Sequence, residues 1–278
     1  MLISGRAIAK EVFSQIKQEL EDLTDVPGLA VILIGEDPAS RIYVSRKHKR
    51  ARALGFHQET YRLPTQTTQD ELLIYIERLN RDENIHGILV QLPLPKHINT
   101  DQVLKCIRPE KDVDGFHPYN AGLLSQGQSS LVPCTAKGIM VMLQSLDISL
   151  SGLNAVVIGR SNIVGRPVAQ LLEQSNCTVT LCHSRTQNLQ GYLAQADIVV
   201  AAIGRARFIR GEWLKKDCIV IDVGINRQED GSLCGDVDFE SARARARAIT
   251  PVPGGVGPMT IAMLMRNTLE SWKKIRGH

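Results

Sequence analysis

From Gly28 onward the chain alternates short, nearly continuous apolar runs with longer amphipathic stretches, and no other feature constrains its fold as strongly. A parallel strand is covered on both faces by crossover helices, so it reads as an unbroken apolar run without polar alternation. The chain is therefore expected to be α/β. LAVILIG (29–35) reads as a buried strand, and Asp37 and Pro38 supply an N-cap and a first-turn proline for a helix ending near Gly55. A second strand is expected near 56–63, followed by a helix that Thr68 and Glu71 open at capping-box spacing. GILVQLPLP (87–95) is a strand that must stop at its prolines, which lack the ladder donor.

Beyond Asp114 and Gly115 comes a turn-rich stretch, NAGLLSQGQSS (120–130), then a linking helix over about 135–146, and the domain change is placed here. NAVVIG (154–159), CTVTLCH (177–183), ADIVVAAIG (196–204) and CIVIDVG (218–224) are further strands with helical spacers, a second, Rossmann-like doubly wound parallel unit. The loop PVPGGVGP (251–258) is too rigid and glycine-rich for an ordinary connector. The helix after it, over about 257–275, is expected to return to the first domain. The expected domains are thus 1–120 completed by 255–278, and 121–254.

With 278 residues, 43% of them hydrophobic and 22% charged, each domain has material for a core, and no run of eighteen uncharged apolar positions suggests a membrane span. The N-terminal MLISGRAIAKEVF carries charges within its apolar positions and lacks the h-region of a secretory signal, so a cytoplasmic protein is expected. The six cysteines form no CxxC pair and read as buried free thiols, neither metal ligands nor disulfides. A net charge of +4 implies no nucleic acid. The basic run RIYVSRKHKRAR (41–52) is more suggestive, yet a solvated helix face explains it more simply.

In the second unit, strand AVVIG leads directly into GRSNIVGRP (159–167), so Gly159 and Gly165 bracket a turn whose following helix would offer free N–H groups to a phosphate. The spacing departs from GxGxxG, because Ser161 stands at the second glycine position and partly closes the approach to a pyrophosphate. A purely structural strand-to-helix turn also accounts for two glycines. At the end of the next strand, where an NAD-preferring protein usually has an acid, stand His183, Ser184, Arg185 and Thr186. Ser184 can donate to a 2′-phosphate and Arg185 can pair with it, so the chemistry favours NADP; the alternative is a polar surface turn. Gly204, Gly224 and Ile225 close later strands on the same carboxyl edge.

Four more segments, YVSRK (43–47), QLPLP (91–95), DVDGFHP (112–118) and PVPGGVGPMT (251–260), bear on the function. Together with GRSNIVGRP, in this order and across nearly the whole chain, they closely resemble the bifunctional methylenetetrahydrofolate dehydrogenase/cyclohydrolase family. One departure is PCTAKG (133–138), which has Ala136 where the family commonly has proline. The resemblance implies two α/β domains flanking a cleft, NADP as cofactor, no metal, tetrahydrofolate derivatives as substrates and a homodimer built through the nucleotide domains. It implies an enzyme of one-carbon metabolism, feeding purine biosynthesis, that binds neither nucleic acid nor membrane.

Tyr43 and Lys47 are four apart on an expected helix and share a face; a half-buried tyrosine beside a surface lysine would look the same. The resemblance implies that Tyr43 packs on the folate ring system, that Lys47 is catalytic with Gln91 as its hydrogen-bond partner, and that Leu92 and Pro93 line the substrate. By the same resemblance Asp114 holds the pterin through its ring N–H and exocyclic amine, chemistry that suits a carboxylate. Without the resemblance, DVDG would read as an Asx-turn. Gly254, Gly255 and Pro258 are implied as a wall of the folate site, with Pro258 starting the last helix. Gly159, Arg160, Ser161, Ile163, Ser184, Arg185 and Ile225 are implied contacts of the cofactor.

The implied reactions are hydride transfer from methylenetetrahydrofolate to NADP⁺, then hydration of the methenyl cation to 10-formyltetrahydrofolate. Only the second demands a proton shuttle, and Lys47 suits it if burial and the cationic substrate favour its neutral amine. The rival expectations are a dehydrogenase lacking the hydrolytic step and a dinucleotide-sensing protein without turnover.

Overall fold

The computed structural model describes every residue except Asp22, Thr24, Ser129, Ser130 and His278. Two compact units emerge, one from Met1–Glu11 and Thr135–Thr260, the other from Val12–Cys134 and Ile261–His278. The first helix, α1 (Gly5–Glu21), begins in the former and ends in the latter.

Among the described residues, the unit holding most of the N-terminal half has three parallel strands, β1 (Gly28–Ile34), β2 (His57–Leu63) and β3 (Gly87–Val90), in the order β2-β1-β3. Helices α2 (Pro38–Ala53) and α3 (Gln69–Arg81) supply the crossovers that parallel neighbours require. All seven residues of central β1 are buried, which is why it reads as an unbroken apolar run, whereas β2 is mixed. Leu72, Ile76 and Leu79 recur at helical spacing on α3 and pack with Ala30, Ile32 and Ile88 in one core cluster. The capping box at Thr68 and Glu71 is formed, and Asp37 caps α2 by accepting the Ser40 N–H at 2.8 Å, with Pro38 in its first turn.

Helix α4 (Thr100–Cys106), a 3-10 turn over Pro109–Lys111 and helix α5 (Pro118–Ser125) follow. The stretch 120–130, read from the sequence as turns, is helical through Ser125, because Pro118 opens α5 and the His117 ring takes the Tyr119 N–H; Ser129 and Ser130 lie outside the described residues. Cys106 ends α4 exposed, which departs from the expectation of buried thiols; Cys134, Cys177, Cys182 and Cys218 are buried.

The other unit contains helix α6 (Cys134–Gln144) from its second residue, and Ala136 lies in the first turn of that helix, where alanine and proline are both accommodated. Next come β4 (Asn154–Ile158), α7 (Gly165–Gln174), β5 (Thr178–Cys182), α8 (Leu189–Leu193), β6 (Ile198–Ala201), β7 (Ile219–Asp222), the short hairpin β8 (Asn226–Arg227) and β9 (Leu233–Cys234), α9 (Phe239–Arg243) and β10 (Ala248–Ile249). The parallel sheet has the order β10-β7-β6-β4-β5. Its order reverses at β4, so the carboxyl ends of β4 and β6 form the switch point at which open α/β sheets hold ligands.

Met1–Glu11, expected in the first domain, join this unit: Leu2 bridges Ile249 in parallel and the Ile3 N–H donates to the Ile249 carbonyl at 2.9 Å, extending the sheet beyond β10. The last helix, α10 (Val256–Arg276), belongs from Ile261 onward to the β1–β3 unit, where Asn267 Nδ2 donates to the carbonyls of Val113 and Val132, each at 2.9 Å.

Candidate active site

Tyr43 and Lys47 lie one turn apart on α2, as their spacing requires. Tyr43 is half-buried, and burial pushes its hydroxyl pKa up, partly offset by Arg46. Lys47 is only 6% exposed, so it is no surface lysine. Its Nζ donates to Gln91 Oε1 at 3.1 Å. Gln91 directly follows β3, and its N–H continues the ladder to the Ile32 carbonyl at 2.8 Å. The side-chain Nε2 donates to the Leu92 carbonyl at 2.8 Å, which turns Oε1 toward the amine. The Leu92–Pro93 peptide is cis. Helix α2 and the end of β3 thus bring together two side chains forty-four positions apart in sequence.

Asp114 belongs to the same unit. Burial pushes its carboxyl pKa up; the Lys47 ammonium opposes this, the Asp112 carboxylate adds to it, and a hydrogen bond from Cys134 lowers it again. The segment around it is held from several sides. Lys111 Nζ donates to the carbonyls of Leu79, Asn80 and Asp82 at 2.8–3.1 Å, a cation closing the end of α3. Asp112 bridges Ile88 and accepts from the His117 N–H at 2.8 Å and Asn120 Nδ2 at 2.9 Å. Asp112, two residues before Asp114, is thus the carboxylate that takes the His117 backbone N–H of this loop. The Val113 carbonyl takes Cys134 Sγ at 3.2 Å as well as Asn267. Gly115 has φ +73°, and a Cβ there would lie 2.5 Å from the Pro133 nitrogen. Lys111, Asp112, Asn120 and Asn267 escaped sequence reasoning, since nothing in their spacing reveals these partners.

Gly254, Gly255 and Pro258 fall in the other unit. Arg6 N–H donates to the Gly254 carbonyl at 3.2 Å, and a Cβ on Gly5 would stand 1.8 Å from the Gly255 oxygen, so the loop is locked onto the start of α1. Pro258 lies in the first turn of α10, as expected.

At the switch point, Gly159 has φ +114°, and a Cβ on it would lie 2.1 Å from the Ala202 carbonyl oxygen. One on Gly165 would lie 1.9 Å from the Gly159 oxygen. The turn is therefore as tight as its glycines suggest. The expected row of free N–H groups is only partly present: Ser161 Oγ accepts from Val164 and Gly165 at 3.2 and 3.4 Å, and its carbonyl accepts from Arg166 at 3.1 Å. Ser161, ahead of the helix, thus occupies two of the first amide donors of α7, and Arg160, Ser161 and Ile163 are exposed. Neighbouring β5 is tied to this turn by the Gly159 N–H on the Cys182 carbonyl at 2.9 Å. Ser184 and Arg185 follow it, exposed, in a turn closed by His183 N–H on Thr186 Oγ1 at 2.8 Å and Arg185 N–H on His183 Nδ1 at 3.1 Å. Ile225 is exposed beyond β7.

Two buried carboxylates here had no signal in the sequence. Asp222 closes β7 and accepts three N–H groups, from Gly224, Asp236 and Val237, yet burial pushes its pKa up to about 6. Asp236 lies beside it, wholly buried.

This geometry pairs a buried amine with a carboxylate in one unit and a tight nucleotide-type turn in the other. Family models match both parts: that of the tetrahydrofolate dehydrogenase/cyclohydrolase catalytic domain over residues 3–114, and that of the NAD(P)-binding domain of the same family over residues 133–276. The Bifunctional protein FolD of Geotalea daltonii is 55% identical over 276 residues, covering 98% of this chain and 99% of that protein. The crystal structure of a FolD methylenetetrahydrofolate dehydrogenase/cyclohydrolase from Campylobacter jejuni superposes with a TM-score of 0.96 at 47% identity, over 99% of both chains. A Trypanosoma brucei methylenetetrahydrofolate dehydrogenase-cyclohydrolase, solved with NADP cofactor and an inhibitor, gives 0.94 at 41% identity, over 99% of this chain and 97% of that one.

Proposed function

The chain belongs to the tetrahydrofolate dehydrogenase/cyclohydrolase family, and from that premise we infer that it oxidises 5,10-methylenetetrahydrofolate with NADP⁺ and hydrolyses the resulting 5,10-methenyl cation to 10-formyltetrahydrofolate. The observation that carries this reading to particular side chains is the Lys47–Gln91 hydrogen bond at 3.1 Å on the unit matched as catalytic.

The nucleotide is assigned to the Gly159 turn, because the strand order reverses there and the backbone of the turn packs too closely to carry a side chain at either glycine. NADP⁺, when bound, supplies the hydride acceptor. Ser184 and Arg185 favour a 2′-phosphate, because a hydroxyl donor and a guanidinium stand where an acid would repel it. Arg160, Ser161, Ile163 and Ile225 border the same carboxyl edge. For hydride transfer the protein orients its substrate and moves no proton.

In our reading Tyr43 stacks on the folate ring system, and Leu92 and Pro93 line it. Asp114 accepts two pterin N–H donors, a task for its ionised form. Hydration then needs a base and an acid. Water adds to the methenyl carbon and loses a proton, the bond from that carbon to N5 breaks as N5 is protonated, and the second water proton is released. Lys47 is the shuttle, held on Gln91 Oε1 so that its amine keeps one orientation. The enzyme acts as a homodimer in the cytoplasm, a reading supported by the family resemblance. Among the described residues no helix is long and apolar enough to cross a membrane.

The test is spectroscopic: on mixing with NADP⁺ and methylenetetrahydrofolate, the methenyl chromophore should form and then decay. Formation without enzymatic decay would leave a dehydrogenase alone, and neither change would leave a binding protein.

A further inference from the structure

Asp236 is fully buried among the chain segments that leave β6 and β7. Its Oδ2 accepts the N–H groups of Ile203 and Gly204 at 2.7 and 3.0 Å. Oδ1 accepts the Arg205 N–H at 2.8 Å and Asn226 Nδ2 at 2.9 Å. One carboxylate thus gathers three consecutive backbone donors beyond β6 and a side chain from the segment beyond β7. Its own N–H is held by Asp222 Oδ1 at 2.9 Å. The surroundings leave no slack: a Cβ on Gly224 would stand 2.3 Å from the Asp236 carboxyl, and one on Gly235 would stand 1.8 Å from Asp222 Oδ2.

Burying a carboxylate is costly unless its lone pairs are filled, and here they are filled by loops at the ligand edge of the sheet. Ala202, which leads into the clamped loop, is the residue whose carbonyl crowds Gly159. Asn226 adjoins exposed Ile225. We propose that Asp236 is a positioning residue of the nucleotide site, setting the loop 203–205 and the segment 224–226 against which the cofactor binds. This rests on the assignment of the Gly159 edge to NADP. A carboxylate is needed because asparagine has one acceptor oxygen and would turn an NH₂ group toward N–H donors, losing two of the four bonds.

The experiment compares wild-type enzyme with Asp236→Asn and Asn226→Ala in two assays. One measures the KM for NADP⁺ in methylenetetrahydrofolate oxidation, the other hydrolysis of methenyltetrahydrofolate without nucleotide. Loss of charge-assisted bonds should raise the KM for NADP⁺ about tenfold or more in Asp236→Asn, and less in Asn226→Ala, while hydrolysis stays within about threefold of wild type. A KM change of about threefold or less in Asp236→Asn, or a parallel fall in both activities, overturns the proposal. If Asp236→Asn is recovered unfolded, Asn226→Ala decides: a raised KM with hydrolysis retained supports the proposal, and an unchanged KM overturns it. Failure of wild-type enzyme to bind NADP⁺ in a fluorescence titration would instead refute the underlying site assignment.

Discussion

The Gly28 N–H donates to His86 Nδ1 at 3.0 Å, tying the first residue of β1 to the residue just before β3. An imidazole nitrogen that accepts has no proton, so His86 is neutral when this bond exists. Burial pushes its pKa down to about 4; Arg276 and Lys111 act in the same direction, against the pull of Asp25 and Asp82.

Acid should therefore weaken this unit at a definite place. The folded pKa lies below the ordinary value near 6.5, so the stabilisation is complete above pH 6.5 and is lost as pH falls from there through 4. The full shift corresponds to at most about 3 kcal/mol. Asn at position 86 offers an acceptor that does not titrate. Urea unfolding at pH 7 and pH 4.5 should show His86→Asn less stable at neutral pH but with a flatter pH dependence than wild type. Parallel profiles would remove His86 as the source.

Arg185 tests the cofactor reading separately from the fold, since it is exposed in the turn after β5. Arg185→Ala should lower kcat/KM for NADP⁺ about tenfold, the scale of one lost charge-assisted bond. NAD⁺ has no 2′-phosphate, so its value should hardly move. Equal losses with both nucleotides would show that Arg185 does not read the phosphate.

Much of the fold was legible because burial on both faces leaves a mark on composition: β1, β3, β6 and β7 are buried along their full length and stand out as apolar runs. Two-residue β10 leaves no such mark, and neither does the N-terminal segment that pairs with it, since its place depends on Ile249 far along the chain. Local rules worked where the partners are local, as in the caps of α2 and α3. The site residues divide in the same way. Tyr43 and Lys47 were visible as one helix face, but Lys47 with Gln91 came only from the family resemblance, and Asp222 with Asp236 from neither source. A carboxylate whose partners are backbone N–H groups leaves no pattern of side chains to read.

Asp114→Ala tests anchoring against proton transfer. If this carboxylate holds the pterin, tetrahydrofolate binding measured by calorimetry should weaken about tenfold or more, and both reactions should suffer because they share one bound folate. This segment is also held by Asp112 on the His117 N–H and by Asn267 on the Val113 carbonyl, so the loop itself should persist in the variant. Unchanged folate affinity would show that Asp114 has no anchoring role.

Lys47→Gln separates the two reactions, because hydride transfer moves no proton through the side chain while hydration of the methenyl cation must. Glutamine retains hydrogen-bonding capacity toward Gln91 and removes the titratable amine. Lys47 is buried, so part of any loss could come from packing, and the ratio of the two activities is the quantity to read. A general acid–base group contributes on the order of 10² to 10⁴ in rate, and hydrolysis should fall by that much. Oxidation of methylenetetrahydrofolate should fall far less, limited to the positioning that Lys47 provides. The variant should then accumulate methenyltetrahydrofolate, visible as a chromophore that forms at a near-normal rate and decays no faster than it does without enzyme. Initial rates of both reactions on one preparation decide the matter: equal losses would make Lys47 a positioning residue only, and undiminished hydrolysis would remove it from the mechanism.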